Sequence, residues 1–256
     1  SMTVMLRADD REIPYSFNAS GYRAASEGPE PDPDAPSIIF AGESITEGVG
    51  VRWEEAYPAV VASDLHVQPV EAAVHGYGND QIYWAMQKEL AKLHRPIAVV
   101  TFLIPELLER DLDVTRPRLS LGADGHFVKL APEPPMPNWW KDFPLRKIAH
   151  GLFPYHDDSP IPLARAIFTA TAKEARARGA YPLFVMTNWN APCLPPDSGN
   201  PALVQRLFAG LDVPFISVTI DPKAMELSTH HPNPSAHRVL ANAIEKALIY
   251  ARVAQK

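Results

Sequence analysis

The sequence predicts an α/β fold in which a five-stranded parallel sheet lies between two layers of helices. Short apolar runs recur along the chain from residue 37 onward, and longer amphipathic stretches separate them. This alternation is typical of parallel strands joined by crossover helices. Glycine-rich turns follow the first two runs, where each strand must turn into a helix. The prediction is therefore a doubly wound, three-layer α/β/α domain.

The N-terminal segment precedes this alternation. It is polar and rich in turn-forming residues, and it ends in the proline-rich stretch 27–34. Because it lacks the apolar periodicity of a core element, the sequence predicts an N-terminal arm over 1–36. The arm leads into a single domain over 37–256.

Five apolar runs are the predicted strands of the sheet. They are 37–41, 67–74, 97–104, 181–187 and 213–220. Helical spacing of apolar residues predicts four helices between and after them. They are 55–65, 81–93, 164–178 and 234–253. The third helix stops before Gly179, because glycine readily takes the left-handed conformation that follows a helix end.

About fifty residues, 111–160, lie between the third strand and the third helix and are not required by the alternation. Loops of this length in a compact domain are usually functional or disordered, and aromatic content argues against disorder. The aromatic residues are Phe127, Trp139, Trp140, Phe143, Phe153 and Tyr155. The sequence predicts a cap over the active-site end of the sheet, with Trp139 and Trp140 as candidate platforms for a sugar or as packing residues.

Length, composition and net charge limit the classes of protein to which the chain can belong. The chain has 256 residues and is 46% hydrophobic, which is ample for a buried core. Its 30 acidic and 24 basic residues give a net charge of −6, and no basic run could neutralise a row of phosphates. Nucleic acid is therefore not the expected partner.

The expected compartment is the cytoplasm. The only cysteine, Cys193, excludes an intramolecular disulfide, so the fold does not require an oxidising environment. No stretch approaches the ~20 apolar residues that span a bilayer. Ser1 ahead of Met2 is typical of a residue left by cloning, which leaves open a leader that has been removed.

Polar residues after the first strand form a candidate catalytic turn. Ser44 lies between Gly42 and Gly48, where the chain passes from strand to helix. In open parallel sheets ligands bind at the carboxyl ends of the strands. A serine there has an exposed hydroxyl, and the following helix N-terminus favours developing negative charge. Ser44 is thus a candidate nucleophile, with simple helix capping as the alternative.

The turn after the second strand, 75–81, contains Gly76 and Gly78. Glycine lets the backbone approach a substrate closely, so an N–H group here could help to bind an oxyanion. An ordinary tight turn is the alternative.

Three histidines follow the fifth strand, at His230, His231 and His237. His231 could take a proton from Ser44 if its loop folds back over the sheet edge. One alternative is a surface loop in which His231 only packs. Another is a metal site, but adjacent histidines on an extended segment point apart and no carboxylate cluster lies nearby in the sequence. The sequence therefore predicts no metal and no organic cofactor.

Three blocks of the chain together resemble the SGNH/GDSL hydrolases. The segment 40–51 resembles their first block, 74–81 their second, and 231–237 the end of their last, in the same order. The resemblance implies a flavodoxin-like SGNH fold and a serine esterase without a cofactor. It also implies that Ser44 is the nucleophile, that His231 is the general base, and that the N–H groups of Ser44 and Gly76 stabilise the oxyanion.

The chain departs from this family in its third block. A Gly-X-Asn-Asp motif normally supplies an asparagine amide to the oxyanion, but Pro105 and Glu106 stand at that strand end. Loss of one such donor typically costs ~10²–10³ in rate. The enzyme is therefore expected to be slow unless Asn79 or Asn188 substitutes for the missing donor.

The second departure is the acid that normally precedes the catalytic histidine. Ser228 and Thr229 occupy those positions, so Glu226, Asp221 or a backbone carbonyl must orient His231. Glu43 replaces the aspartate before the nucleophile, which is usually a structural residue in the family.

The predicted activity is hydrolysis of a small O-acyl group on a carbohydrate or metabolite through an acyl-serine intermediate. Two alternatives remain open on the sequence: an acyltransferase that uses a hydroxyl acceptor instead of water, and a non-catalytic binding domain. Acyl chain length, alcohol portion and oligomeric state are not predicted.

Overall fold

The computed structural model describes residues 2–8, 11–28, 30–134, 160–188, 201–225, 229–251 and 253. Ten strands and seven α-helices lie in these ranges. The strands are β1 (Met2–Ala8), β2 (Arg11–Phe17), β3 (Arg23–Ala24), β4 (Ser37–Gly42), β5 (Gln68–Ala73), β6 (Pro96–Leu103), β7 (Arg118–Leu121), β8 (Phe127–Leu130), β9 (Tyr181–Asn188) and β10 (Phe215–Thr219). The helices are α1 (Ser44–Glu47), α2 (Tyr57–Asp64), α3 (Asn79–Lys92), α4 (Glu106–Asp111), α5 (Pro160–Ala177), α6 (Pro201–Phe208) and α7 (Pro234–Tyr250).

The main sheet is parallel and has the order β10-β9-β6-β4-β5. Every residue of the central strand β4 is buried, as expected for a strand with both faces covered. Helix α2 packs on α7, and α3 packs on α5, so helices flank the sheet. The predicted three-layer α/β/α fold with five parallel strands is confirmed.

Element boundaries agree with the predicted ones to within about four residues, which is the usual error at helix and strand ends. Helix α6 was not predicted. It has only eight residues, too short for a clear repeat of apolar positions, and its helical form depends on packing against α5.

The N-terminal arm contains an antiparallel sheet of β1, β2 and β3 that the sequence analysis did not anticipate. Ile13 and Tyr15 are buried while the residue between them is exposed, which is the period-two pattern of a strand with one covered face. The pattern is short and lies among polar residues, so the segment was interpreted as irregular. The division of the chain into an arm over 1–36 and a domain over 37–256 stays a prediction.

Part of the predicted cap is described. It begins at the end of α4 and continues into the antiparallel hairpin of β7 and β8. Trp139 and Trp140 lie outside the described residues, so their contact with substrate stays a prediction. None of the helices in the described ranges combines the length and apolar character needed to cross a bilayer.

Candidate active site

Ser44 lies at the carboxyl end of β4, as the first residue of α1, and is 4% exposed. The backbone turns sharply here: a Cβ atom at Gly42 would lie only 1.9 Å from Thr46 Oγ1, so this position requires glycine. Gly48 ends the helix with a left-handed φ of 75°. The two glycines that flanked the candidate nucleophile in the sequence are therefore the residues that form its turn.

His231 reaches this turn from the loop before α7. Its Nε2 atom lies 2.9 Å from Ser44 Oγ, and its Nδ1 atom lies 2.6 Å from the backbone oxygen of Thr229. An isolated bridge between Met225 and Pro232 closes the loop. The side chain of Asn233 then caps α7 by accepting from the N–H of Ala236. The structure thus brings together two residues that are 187 positions apart.

The contacts of the imidazole fix its tautomer. A carbonyl oxygen only accepts, so Nδ1 carries the hydrogen that is donated to Thr229, and Nε2 of the neutral ring is free to accept from Ser44. Burial lowers the pKa of His231 below its usual value, against the opposing effect of the Thr229 carbonyl. His231 is therefore neutral at pH 7 and able to act as a base.

Glu43 also contacts Ser44, the candidate nucleophile. Its fully buried carboxylate accepts from the Ser44 hydroxyl through Oε2 and from the N–H of Ile45 through Oε1, the latter at 3.0 Å. Arg110 Nη1 lies 3.5 Å from the same Oε2. Because one hydroxyl proton faces two acceptors, Glu43 and His231 compete for it. The sequence predicts a structural role for Glu43, and nothing in it indicates this contact.

Of the two acids predicted as candidates to orient His231, the structure describes Asp221, which contacts another group. Asp221 is exposed, and its carboxylate accepts from the N–H of Lys223 at 2.9 Å. Glu226 lies outside the described residues. The partner of Nδ1 is the Thr229 carbonyl, which corresponds to the third candidate that the sequence left open.

Replacing Asp221 by asparagine is therefore expected to change kcat/KM for any reaction at Ser44 by less than about threefold. Asparagine can still accept from Lys223, and the ring keeps its backbone partner. Steady-state kinetics of the purified variant test this. A loss of about 10⁴, the size seen when a triad aspartate is replaced, would instead identify Asp221 as the orienting acid.

Gly76 and Ser44 carry the backbone N–H groups that are predicted to bind the oxyanion. Ser44 opens α1, so its N–H has no acceptor within the helix. Gly76 has a left-handed φ of 82°, and its carbonyl accepts from Arg116 Nη1. The neighbouring N–H of His75 donates to Glu47 Oε2 at 2.7 Å, which ties the second turn to α1. The role of both N–H groups in binding an oxyanion stays a prediction.

The side-chain amide of Asn79 contacts a buried carboxyl group, and its role as an oxyanion donor stays a prediction. It is buried, and its Nδ2 atom donates to Asp111 Oδ2 at 2.6 Å. Burial raises the pKa of Asp111 to about 7. The amide thus satisfies a buried carboxyl group at the end of α4, and this requirement decides its orientation. The side chain of Asn188, the other candidate, is not among those described.

His237 and His230 lie in different environments. His237 is fully buried, and its Nδ1 accepts from the N–H of Tyr57 at 3.2 Å. Burial lowers the pKa of His237 to about 3, so it is a neutral core residue. His230 is exposed. In the described part of the chain, no group of three or more histidine, cysteine, aspartate or glutamate side chains is arranged to hold a metal ion.

The N-terminal arm contacts the candidate catalytic turn, a feature that the sequence does not predict. Arg23 is 1% exposed and donates to the carbonyls of Glu47, Gly48 and Val51, each at 2.6 Å. Its guanidinium lies 3.8 Å from the ring centre of Tyr15. The Tyr15 hydroxyl donates to the Gly48 carbonyl at 2.9 Å and accepts from the N–H of Gly50 at 2.7 Å. No local motif in the sequence signals these contacts.

Comparisons by sequence give no relative: no protein-family model matches the chain, and no curated protein matches it. Several solved structures are similar in fold. One is a family two carbohydrate esterase from Clostridium thermocellum in complex with cellohexaose. It is 14% identical, with a TM-score of 0.50 over 92% of this chain and 69% of that one.

Two others have lower scores. An acetyl xylan esterase from Butyrivibrio proteoclasticus is 15% identical, with a TM-score of 0.47. The region that the two structures share is 86% of this chain and 64% of that esterase. A G-D-S-L family lipolytic protein from Desulfitobacterium hafniense DCB-2 is 11% identical, with a TM-score of 0.47 over 83% of this chain and 99% of that one. At these identities the similarity concerns the fold.

Proposed function

We propose that this chain, which has the fold of the SGNH/GDSL hydrolases, is a carboxylic ester hydrolase that works through an acyl-serine intermediate. The observation that carries the proposal is the 2.9 Å contact between Ser44 Oγ and His231 Nε2. A nucleophile within hydrogen-bond distance of a base that is itself oriented by a third group is the arrangement that serine catalysis needs. Here the third group is the Thr229 carbonyl.

The reaction follows from these contacts. As Ser44 Oγ attacks the ester carbonyl carbon, His231 Nε2 takes its proton, and the imidazolium then gives that proton to the departing alcohol. The N–H groups of Ser44 and Gly76 are the proposed donors to the tetrahedral oxyanion. Water, activated by the same imidazole, releases the acyl group and restores Ser44. The Thr229 carbonyl keeps Nδ1 protonated and the ring in one orientation throughout.

The proposed substrate is a small O-acyl group on a carbohydrate. The support is the fold similarity to the Clostridium thermocellum esterase, which was solved with cellohexaose, together with the aromatic content of the segment 111–160. Aromatic side chains suit the apolar faces of sugar rings. Trp139 and Trp140 are the proposed contacts.

A fluorophosphonate probe and p-nitrophenyl acetate test the proposal. We expect the wild type to incorporate one probe molecule per chain and to turn over the ester, because Ser44 is poised beside a neutral base. Ser44→Ala should lose the label, whereas Ser63→Ala, which removes an exposed serine of α2, should keep it. A wild type with neither labelling nor turnover would favour a binding domain. Turnover that rises steeply with added alcohol or sugar would indicate acyl transfer.

A further inference from the structure

The end of β6 lies directly beside the catalytic turn. Thr101 pairs with Ala41 in the parallel register of β6 and β4. A Cβ atom at Gly42 would lie 3.3 Å from the Cβ of Phe102, so the two strand ends are in close contact. Residues that follow β6 therefore emerge next to Ser44. The first side chain of α4, which starts there, is Glu106.

Glu106 has a carboxyl group that is buried but unpartnered. Both of its oxygens are inaccessible to solvent, and neither has a hydrogen-bond partner among the described residues. An ionised carboxylate in this state would lose its hydration without compensation, so burial favours the neutral acid. A neutral carboxyl group has one O–H hydrogen to donate. Within the described structure, that hydrogen has no acceptor.

The face of α4 that carries Glu106 is turned toward the site. Arg110 lies one helical turn further along, on the same face. Its Nη1 atom is 3.5 Å from Glu43 Oε2 and donates to the carbonyl of Tyr77 at 3.0 Å. Glu43 precedes the nucleophile and Tyr77 follows Gly76, so this face spans the two turns that supply the proposed oxyanion N–H groups.

Burial favours the neutral form of Glu106, while nearby charges act on it in both directions. Burial raises its pKa, and Glu43 and Glu109 raise it further, while Arg110 acts in the opposite direction. Two other helices pack on α4. From α3, Asp80 lies at the other end of α4, where its N–H contacts Asp111 Oδ1 at 3.4 Å. The start of α5 presents the buried apolar residues Leu163 and Ile167.

We propose that Glu106, as a neutral carboxylic acid, donates a hydrogen bond to the oxyanion formed at Ser44. It would thus supply the donor that the family's third block provides through an asparagine amide. The proton stays on Glu106 throughout, so no bond to it is made or broken. A neutral acid that serves as an oxyanion donor has precedent in ketosteroid isomerase. This inference rests on the proposed esterase function.

Substitutions at Glu106 test the role by kinetics with p-nitrophenyl acetate. Glu106→Leu is expected to lower kcat by about 10²-fold with KM changed less than about threefold, because the hydrogen bond strengthens only in the transition state. Glu106→Gln retains an N–H donor and is expected to stay within about tenfold of wild type. Glu109→Leu, which removes an exposed carboxylate of the same helix, is the matched control. A Glu106→Leu variant with wild-type kcat would overturn the inference.

The pH dependence of kcat/KM distinguishes hydrogen-bond donation by Glu106 from a role of its side chain in packing. Wild-type kcat/KM should fall as the pH rises through the raised pKa of Glu106, since the ionised group cannot donate and repels the oxyanion. Glu106→Gln should not show this alkaline loss, because its amide donates at every pH. An unchanged alkaline limb in Glu106→Gln would overturn the inference.

A titration that needs no turnover keeps this inference distinct from the esterase proposal. In ¹³C NMR of the glutamate carboxyl groups, the signal missing from Glu106→Gln should titrate above the usual glutamate range. Titration within or below that range would overturn the role of Glu106 and leave the esterase proposal intact. Conversely, a wild type without fluorophosphonate labelling would overturn the esterase proposal, and the role of Glu106 would fall with it.

Discussion

Replacing Ser44 by alanine is expected to lower kcat for ester hydrolysis by about 10⁴–10⁶, to a residual rate that substrate binding and the oxyanion donors supply. His231→Ala should cost a similar factor, since it removes the proposed base that lies 2.9 Å from Ser44 Oγ. Because the two residues act as one unit, the double variant should be little worse than either single variant.

Steady-state kinetics of the three variants and the wild type measure this non-additivity. His230→Asn is the matched control for the histidine, since His230 is exposed next to His231 and asparagine tolerates its left-handed φ of 55°. Losses that multiply in the double variant would show that Ser44 and His231 act independently. A His231→Ala variant with nearly full activity would mean that Glu43, the other acceptor at the hydroxyl, serves as the base.

The local sequence predicts those elements of the fold that depend on a regular pattern of apolar residues. The apolar runs predicted all five strands of the main sheet, because a parallel strand buried on both faces needs an unbroken apolar stretch. The strands of the arm were missed, since their buried face comprises only a few residues such as Ile13 and Tyr15. Short antiparallel strands are stabilised by what they pack against, which the local sequence does not specify.

The residues of the candidate site likewise divide into those that the local sequence predicts and those that it does not. Ser44 could be found because its turn requires glycines that are visible in the sequence, and His231 because it directly precedes the last helix. The partner of the imidazole is a main-chain carbonyl, which any residue at position 229 could provide, so no side chain signals it. Asn79 stays a predicted donor, and its contact with the buried Asp111 could not be predicted because Asp111 comes from another helix.

Arg23 was also invisible, because an arginine in a polar arm normally lies in solvent. Its guanidinium is instead buried, and Glu71 is among the charged groups that act on it. Glu71 is a fully buried carboxyl group, and burial raises its pKa well above the usual range. Burial thus favours the neutral form of Glu71, and neither of its carboxyl oxygens has a hydrogen-bond partner among the described residues. The charge of Arg23 is stabilised by the three carbonyls after α1 and by the ring of Tyr15.

Replacing Arg23 by methionine is accordingly expected to lower the free energy of unfolding by about 3–5 kcal/mol, because three buried carbonyls lose a charged donor at once. For a chain of this size, the melting temperature should fall by roughly 10 °C. Urea denaturation and thermal melting measure the loss. Arg7→Met, which removes an exposed arginine of β1, is the control and should stay within about 0.5 kcal/mol of wild type.

The same substitution should also affect the nucleophile, because Arg23 holds the segment that follows α1. At a temperature where both proteins are folded, Arg23→Met should react more slowly with the fluorophosphonate than wild type, since Ser44 is no longer fixed at 2.9 Å from its base. Loss of stability with an unchanged labelling rate would show that the arm contributes only to folding. Unchanged stability would show that water or another side chain replaces the guanidinium, and that these three contacts are not what attaches the arm to the catalytic turn.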